Sequence, residues 1–327
     1  MKILGMGNAL VDIMIELPDD SLLEAFNLPK GSMQLVDKDF SNQLLEKIHD
    51  LKTHEISGGS AANTICGLAA MGIETAFIGK VGEDRLGEVF KNDLLRNGIL
   101  PLLQYSSNET GHALALVSPD SERTFATCLG AAVELEPDDL SSEMFRDYTH
   151  FYIEGYLVQH HELIRRAVEL AKENGMQIIL DLASFNVVED NLDFLRFLVK
   201  EYADVVFANS DEARVYTNGK KPEEALSEIA QDCLIAIVKT GKEGSLIQNG
   251  KHVYRVPAHK VNCVDTTGAG DLYAAGFLYG MFHNMNLSLC GDTGSILASK
   301  VIEIIGARIP DVSWPEIRNI VKNFIYK

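Results

Sequence analysis

A chain of 327 residues, 46% apolar and 23% charged, buries an ample core as one large α/β unit or two ordinary domains, with no need of a disulfide or metal staple. Its formal net charge of −18 excludes a surface for non-specific nucleic-acid or anionic-lipid binding, both of which need clustered Lys and Arg. An anionic ligand must therefore be met locally, by backbone N–H groups, a bound cation and a few basic side chains.

Met1 leads straight into an apolar segment without a signal-peptide layout, and no apolar run reaches ~18 residues, so a cytoplasmic protein is expected. Cys66, Cys128, Cys233, Cys263 and Cys290 form no CxxC pair or Cys/His metal spacing and read as buried reduced thiols. Residues 2–15 read as a strand interrupted by Gly5, Gly7 and Asn8, a small-residue turn that a ligand can approach. Leu10 stands where a dinucleotide fingerprint has its third glycine, which weakens a dehydrogenase reading. Asn8 and Asp12 flank Ala9-Leu10-Val11, and the Asp12 carboxylate either accepts from two neighbouring sugar hydroxyls or is a solvated strand-end acid.

Residues 16–37 hold Pro18, Pro29 and Gly31 ahead of the apolar Met33-Gln34-Leu35-Val36. In Ser57-Gly58-Gly59-Ser60-Ala61-Ala62-Asn63 the paired glycines suit a hinge and close backbone contact, and Asn63, a helical turn later, offers a donor and an acceptor to vicinal hydroxyls. A structural turn is the competing reading. Residues 112–118 and 123–129 flank the turn Ser118-Pro119-Asp120-Ser121 as a hairpin. Residues 14–39 and 101–130 are expected to form a small β lid over a core of residues 1–13, 40–100 and 131–327.

Helical spacing over residues 161–174 is followed by a buried-strand run at 177–182, and His160-His161 reads as a helix-entry feature. Strand signals recur at 203–208, ahead of the helix-start sequence Asn209-Ser210-Asp211-Glu212, and at 234–239, ahead of the turn Thr240-Gly241-Lys242-Glu243-Gly244 and the run 245–248. This alternation predicts an α/β fold with a mostly parallel sheet covered by helices.

The sharpest chemical signal is Asp265-Thr266-Thr267-Gly268-Ala269-Gly270-Asp271 ahead of a helix-compatible apolar run. A glycine-rich turn opening a helix aims free N–H groups at one spot and adds the helix dipole, so residues 267–270 predict an anion cradle for phosphate. Asp271, in the first turn, would orient an attacking hydroxyl and take its proton late in phosphoryl transfer. The positive helix end is expected to keep it ionised as a weak base; an ordinary acidic helix-start residue is the bland alternative. Arg123 reads either as a surface arginine or as a guanidinium that reaches the transferring phosphoryl group when the lid shuts. No Walker-type P-loop sequence occurs.

Gly58-Gly59 through Ile78-Gly79-Lys80-Val81-Gly82-Glu83-Asp84-Arg85-Leu86-Gly87, together with residues 265–280, resembles the two signatures of the ribokinase or phosphofructokinase-B family. Within it, Gly7-Asn8-Ala9-Leu10-Val11-Asp12-Ile13 and Ser32-Met33-Gln34-Leu35-Val36-Asp37 are similar to the adenosine-kinase-like subgroup. The resemblance implies a three-layer α/β/α sandwich with a β lid and an ATP- and Mg²⁺-dependent kinase. It implies that Asp12, Gly59 and Asn63, bordered by Asn8 and Gly58, hold ribose hydroxyls, that Gln34, Leu114 and Leu116 enclose a base, and that Asp271 faces the 5′-hydroxyl. Glu154 stands where a small residue is usual in animal adenosine kinases, and an acid there would suit a sugar hydroxyl.

Further implications are that Asn209 and Glu212 organise Mg²⁺ through water and that Asn209, Thr240, Gly241, Gly244 and Thr267 line the nucleotide. Asp265, with carbonyls near Gly306, resembles the monovalent-cation loop of relatives, which admits K⁺. The expected activity is transfer of the ATP γ-phosphoryl group to the 5′-hydroxyl of adenosine or a close relative. A sugar kinase for ribose, fructose or 2-keto-3-deoxygluconate, or a binding module without chemistry, are the alternatives. Exposed lid strands leave both a monomer and a lid-paired homodimer open.

Overall fold

The computed structural model describes residues 1–120 and 122–325; Ser121 of the expected hairpin turn lies outside the described residues. Nine strands form the large sheet, in the order His252–Val256, Ser245–Asn249, Ile235–Lys239, Val205–Asn209, Gln177–Asp181, His150–Glu154, Lys2–Met6, Glu74–Gly82 and Leu100–Ser106. The seven strands from Ile235–Lys239 to Leu100–Ser106 run parallel, and the first two close that edge as antiparallel hairpins.

Strand alternation sends side chains to two separate cores. Ile3, Phe77, Tyr152, Phe207 and Ile237 pack beneath helices Ser60–Ala70, Ala269–Phe282 and Leu287–Val301. Leu4, Ile78, Phe151, Val206 and Val238 pack on the other face beneath helices His161–Glu173, Leu192–Glu201 and Pro222–Ile229. The result is the expected three-layer sandwich. Cys66, Cys128 and Cys290 are buried as expected, whereas Cys263 is exposed. No helix among the described residues is long and apolar enough to cross a membrane.

A second sheet has five strands, in the order Met33–Leu35, Arg123–Cys128, Gly111–Val117, Leu10–Glu16 and Thr53–Gly58. Its membership differs from the expected lid at three places, the first being residues 10–13, expected in the core, which belong to strand Leu10–Glu16 of the small sheet. Thr53–Gly58, expected in the core, pairs antiparallel with Leu10–Glu16 in the small sheet, and Leu100–Ser106, expected in the lid, extends the large sheet beside Glu74–Gly82. All three depend on pairing between distant segments, which local periodicity does not encode.

Candidate active site

Four neighbouring strands of the large sheet end at their carboxyl edge in Glu154, Asp181, Asn209 and Lys239. Each shares parity with residues of the core beneath helix Ala269–Phe282, so all four side chains emerge toward the start of that helix. In open α/β sheets this edge is where ligands bind. A cleft of about 760 Å³ opens there, bordered by Asp181, Asn209, Glu212, Lys239, Gly241, Gly244, Gly270 and Asp271.

Gly268 caps the helix at φ 75°, and a Cβ there would lie 2.6 Å from the Cβ of Ala307, so only glycine lets the turn pack this closely. The first-turn amides of Gly270 and Asp271 have no acceptor within the helix. Thr267 does not join them in facing the cleft, because its N–H and its hydroxyl donate to Asp265 Oδ1 at 3.1 and 2.8 Å.

Asp265 Oδ2 accepts from the Gly306 N–H at 2.7 Å and from the Arg123 guanidinium. Both oxygens are thus taken by protein donors, one of them cationic. Asp265 does not fit the ligand expected for K⁺, and Arg123, read either as a surface arginine or as reaching the phosphoryl group when the lid shuts, is buried here against Asp265. A lid arginine finds the nearest buried carboxylate once both are removed from water.

Asp271 accepts from Ser60 Oγ at 2.7 Å and from Asn63 Nδ2 at 2.9 Å, both on the first turns of helix Ser60–Ala70. Burial pushes its pKa up to about 6, against the opposing effect of those two bonds. Desolvation thus makes the carboxylate more basic than its place at a helix start suggests, while leaving it the ionised base that was expected. A group with a pKa near 6 is ionised at neutral pH and still basic enough to accept a proton.

Gly59 sits at φ 95°, with space for a Cβ closed by Asn8 O at 2.4 Å. Asn8 Oδ1 and Asn63 Oδ1 are buried with no partner among the described residues. Asp12 has its pKa raised to about 6 by burial, partly offset by Arg308. Arg308, which sequence reasoning missed, donates to Ser57 O from Nε at 3.1 Å and from Nη2 at 3.0 Å, and to Ser57 Oγ at 2.7 Å. The Ser57 hydroxyl in turn donates to Asp93. The segment entering Gly58-Gly59 is therefore clamped from the far end of the chain.

Glu154 is not available to a sugar hydroxyl. Oε1 accepts from the Asn8 N–H and Oε2 from the Ala61 N–H, each at 2.8 Å, so it ties the two glycine-containing loops together. Burial raises its pKa to about 7. Gln34, Leu114 and Leu116 also fall elsewhere than expected. Leu114 opposes Ala126, as does Gln34, while Asp12 opposes Ala113. Gln34 and the two leucines therefore lie on the lid face away from Asp12, where Leu114 and Leu116 are fully buried. The Asp12 face carries Met14, Ala113, Ala115 and Phe125, with Met33 opposite Phe125 and Leu35 opposite Thr127. Met33 and Leu35 are 53% and 61% exposed. A one-residue shift of parity separates the two sets.

Asn209 caps helix Ser210–Tyr216 by accepting from the Asp211 and Glu212 N–H groups at 2.9 Å, and its own N–H donates to Glu212 Oε2 at 2.8 Å. The cap reading and the cleft reading both hold, since the two residues also line the cleft. Burial raises the Glu212 pKa to about 7. Thr240 closes its turn by donating its N–H to Gly244 O at 2.8 Å, whereas Gly241 and Gly244 border the cleft. No group of three or more His, Cys, Asp or Glu gathers as a metal cage among the described residues. Asn209 Oδ1 and both Glu212 oxygens are spent on the helix cap, Glu212 Oε1 accepting from Asn209 Nδ2, so the pair fits Mg²⁺ only through the ion's own waters.

The chain matches the family described as pfkB family carbohydrate kinase over residues 33–314. It is 27% identical to an adenosine kinase of Schizophyllum commune, covering 97% of this chain and 98% of the relative. It is 31% identical to a 5-dehydro-2-deoxygluconokinase of Lacticaseibacillus casei, covering 78% and 83%. The crystal structure of adenosine kinase from Sinorhizobium meliloti superposes with a TM-score of 0.87 at 35% identity, covering 98% of each chain.

Proposed function

The chain belongs to the pfkB family of carbohydrate kinases, phosphotransferases with a hydroxyl acceptor, and on that premise we propose that it phosphorylates the 5′-hydroxyl of a nucleoside, adenosine first among them, with ATP as donor. The observation that carries the nucleoside reading is the apolar character of the lid face beside Asp12. Met14, Phe125, Met33 and Leu35 offer a wall for a flat apolar base, and two of these side chains stand exposed. A lone sugar would call for hydroxyl partners there. Correspondence with adenosine kinases over nearly the whole chain supports the same reading.

In this reading Asp12 and the unpartnered amide oxygens of Asn8 and Asn63 receive ribose hydroxyls. Asp271, steadied by Ser60 and Asn63, orients the acceptor hydroxyl and takes its proton as the oxygen bonds to phosphorus. The N–H groups at Gly270 and Asp271 face the transferring group, and the lid excludes competing water. Mg²⁺, when bound near Asn209 and Glu212, neutralises phosphate charge.

A sugar acceptor is favoured by the 31% identity with a 5-dehydro-2-deoxygluconokinase and by the likeness to a probable sugar kinase of Rhizobium etli. Turnover with ATP on adenosine, inosine, ribose, fructose and 2-keto-3-deoxygluconate separates the two. Adenosine should exceed each sugar in kcat/KM by about 100-fold or more, because a site shaped for a base leaves buried groups unfilled by a sugar. A sugar as the preferred substrate would replace this reading with the second.

A further inference from the structure

Lys239 ends its strand inside the cleft, among the carboxylates of Asp181, Glu212 and Asp271 and beside the first turn of helix Ala269–Phe282. Its Nζ donates to Asp181 Oδ2 at 2.9 Å, with side chains 15% and 4% exposed. The same ammonium lies 3.3 Å from where a Cβ on Gly270 would stand, against the first turn of helix Ala269–Phe282. A cation beside a helix N-terminus is repelled by the helix dipole. An ammonium also carries three donors, and Asp181 is its one hydrogen-bond acceptor among the described residues. An ammonium and a set of free amides aimed at one point is the arrangement that binds phosphate.

We propose that Lys239 is a phosphate-contacting residue that turns from Asp181 to the donor's polyphosphate and opposes the charge collecting on the leaving diphosphate. In the step it serves, the acceptor oxygen bonds to the γ-phosphorus, the proton passes to Asp271, and the bond to the β–γ bridging oxygen breaks with its electron pair left on ADP. Asp181 is the resting partner of the ammonium: it accepts a second contact from Tyr152 OH at 3.4 Å, so it is not orphaned when Lys239 turns away. The inference rests on the reading that this cleft takes the nucleotide.

The test is calorimetric titration of ADP in EDTA, where metal ligands contribute nothing, on the wild-type protein, K239M, K239R and D181N. Wild type should bind, K239M should bind at least about 10-fold more weakly, K239R should recover part of the loss, and D181N, with its ammonium released, should bind as tightly as wild type or tighter. Adenosine affinity should stay within about twofold in all four, and kcat/KM for ATP should fall about 100-fold or more in K239M. Metal-free ADP affinity unchanged in K239M, or lost equally in K239M and D181N, would reduce Lys239 to a structural ion pair. Should K239M fail to fold, D181N binding ADP more weakly than wild type would overturn the proposal by itself. A wild-type protein that binds no nucleotide at all would instead remove the reading of the cleft.

Discussion

Asp271 combines two influences that pull its acidity in opposite directions. The helix end and the bonds from Ser60 and Asn63 favour the carboxylate, whereas burial favours the acid and wins, leaving a pKa of about 6. As the group that accepts a proton it must be ionised, so kcat/KM should be level above about pH 7 and fall as pH drops through about 6. An Asp271→Ala variant should lose about 10³-fold or more in kcat while acceptor affinity stays within an order of magnitude. An acid limb centred near pH 4 in the wild type, or a variant that loses affinity and keeps turnover at saturation, would assign the proton to another group.

At the scale of elements, the Gly58-Gly59 turn and the lid are tied down by residues from remote parts of the chain. Arg308 and Asp93 fasten Ser57, Glu154 joins Asn8 to Ala61, and Arg123 ties the strand Arg123–Cys128 of the lid to Asp265 beside the cradle. Removing one partner of such a buried cluster leaves the others desolvated and unpaired, a cost of about 3 kcal/mol. Arg308→Met should therefore lower urea stability by about that amount. Arg308→Lys should recover only part, since an ammonium cannot reproduce the guanidinium fork. Equal stability of the two variants would mean that the fork contributes nothing.

Over the whole molecule, the buried acids set a pH dependence of stability. Asp12 and Asp271 have pKa values of about 6, and Glu154 and Glu212 of about 7. All four are raised above the range of an unfolded chain near 4. The folded state then binds more protons between those limits, and stability present at low pH is lost as pH rises from about 4 through about 7. Melting temperature of the ligand-free protein should accordingly rise from pH 8 to pH 5.5; a flat or reversed profile would show that these groups are not desolvated as described.

The alternating α/β layout, the pairing of the 112–118 and 123–129 runs, and the helix start at residues 268–271 were legible in sequence because each rests on local spacing: helical or strand periodicity, a turn between two apolar runs, glycines before an apolar helix. The same holds for the Asn209–Glu212 cap. Tertiary packing alone decided which face of each lid strand meets Asp12, which is why Met14, Phe125, Met33 and Leu35 replace Gln34, Leu114 and Leu116 there. It also decided that Glu154 and Asp265 spend their oxygens on backbone amides and Arg123, and that Lys239, Asp181 and Arg308 converge on the cleft and the Gly58-Gly59 turn. Side-chain partnership and desolvation depend on distant neighbours, 58 residues away for Lys239 and Asp181 and 251 for Arg308 and Ser57, and no local window of sequence contains them.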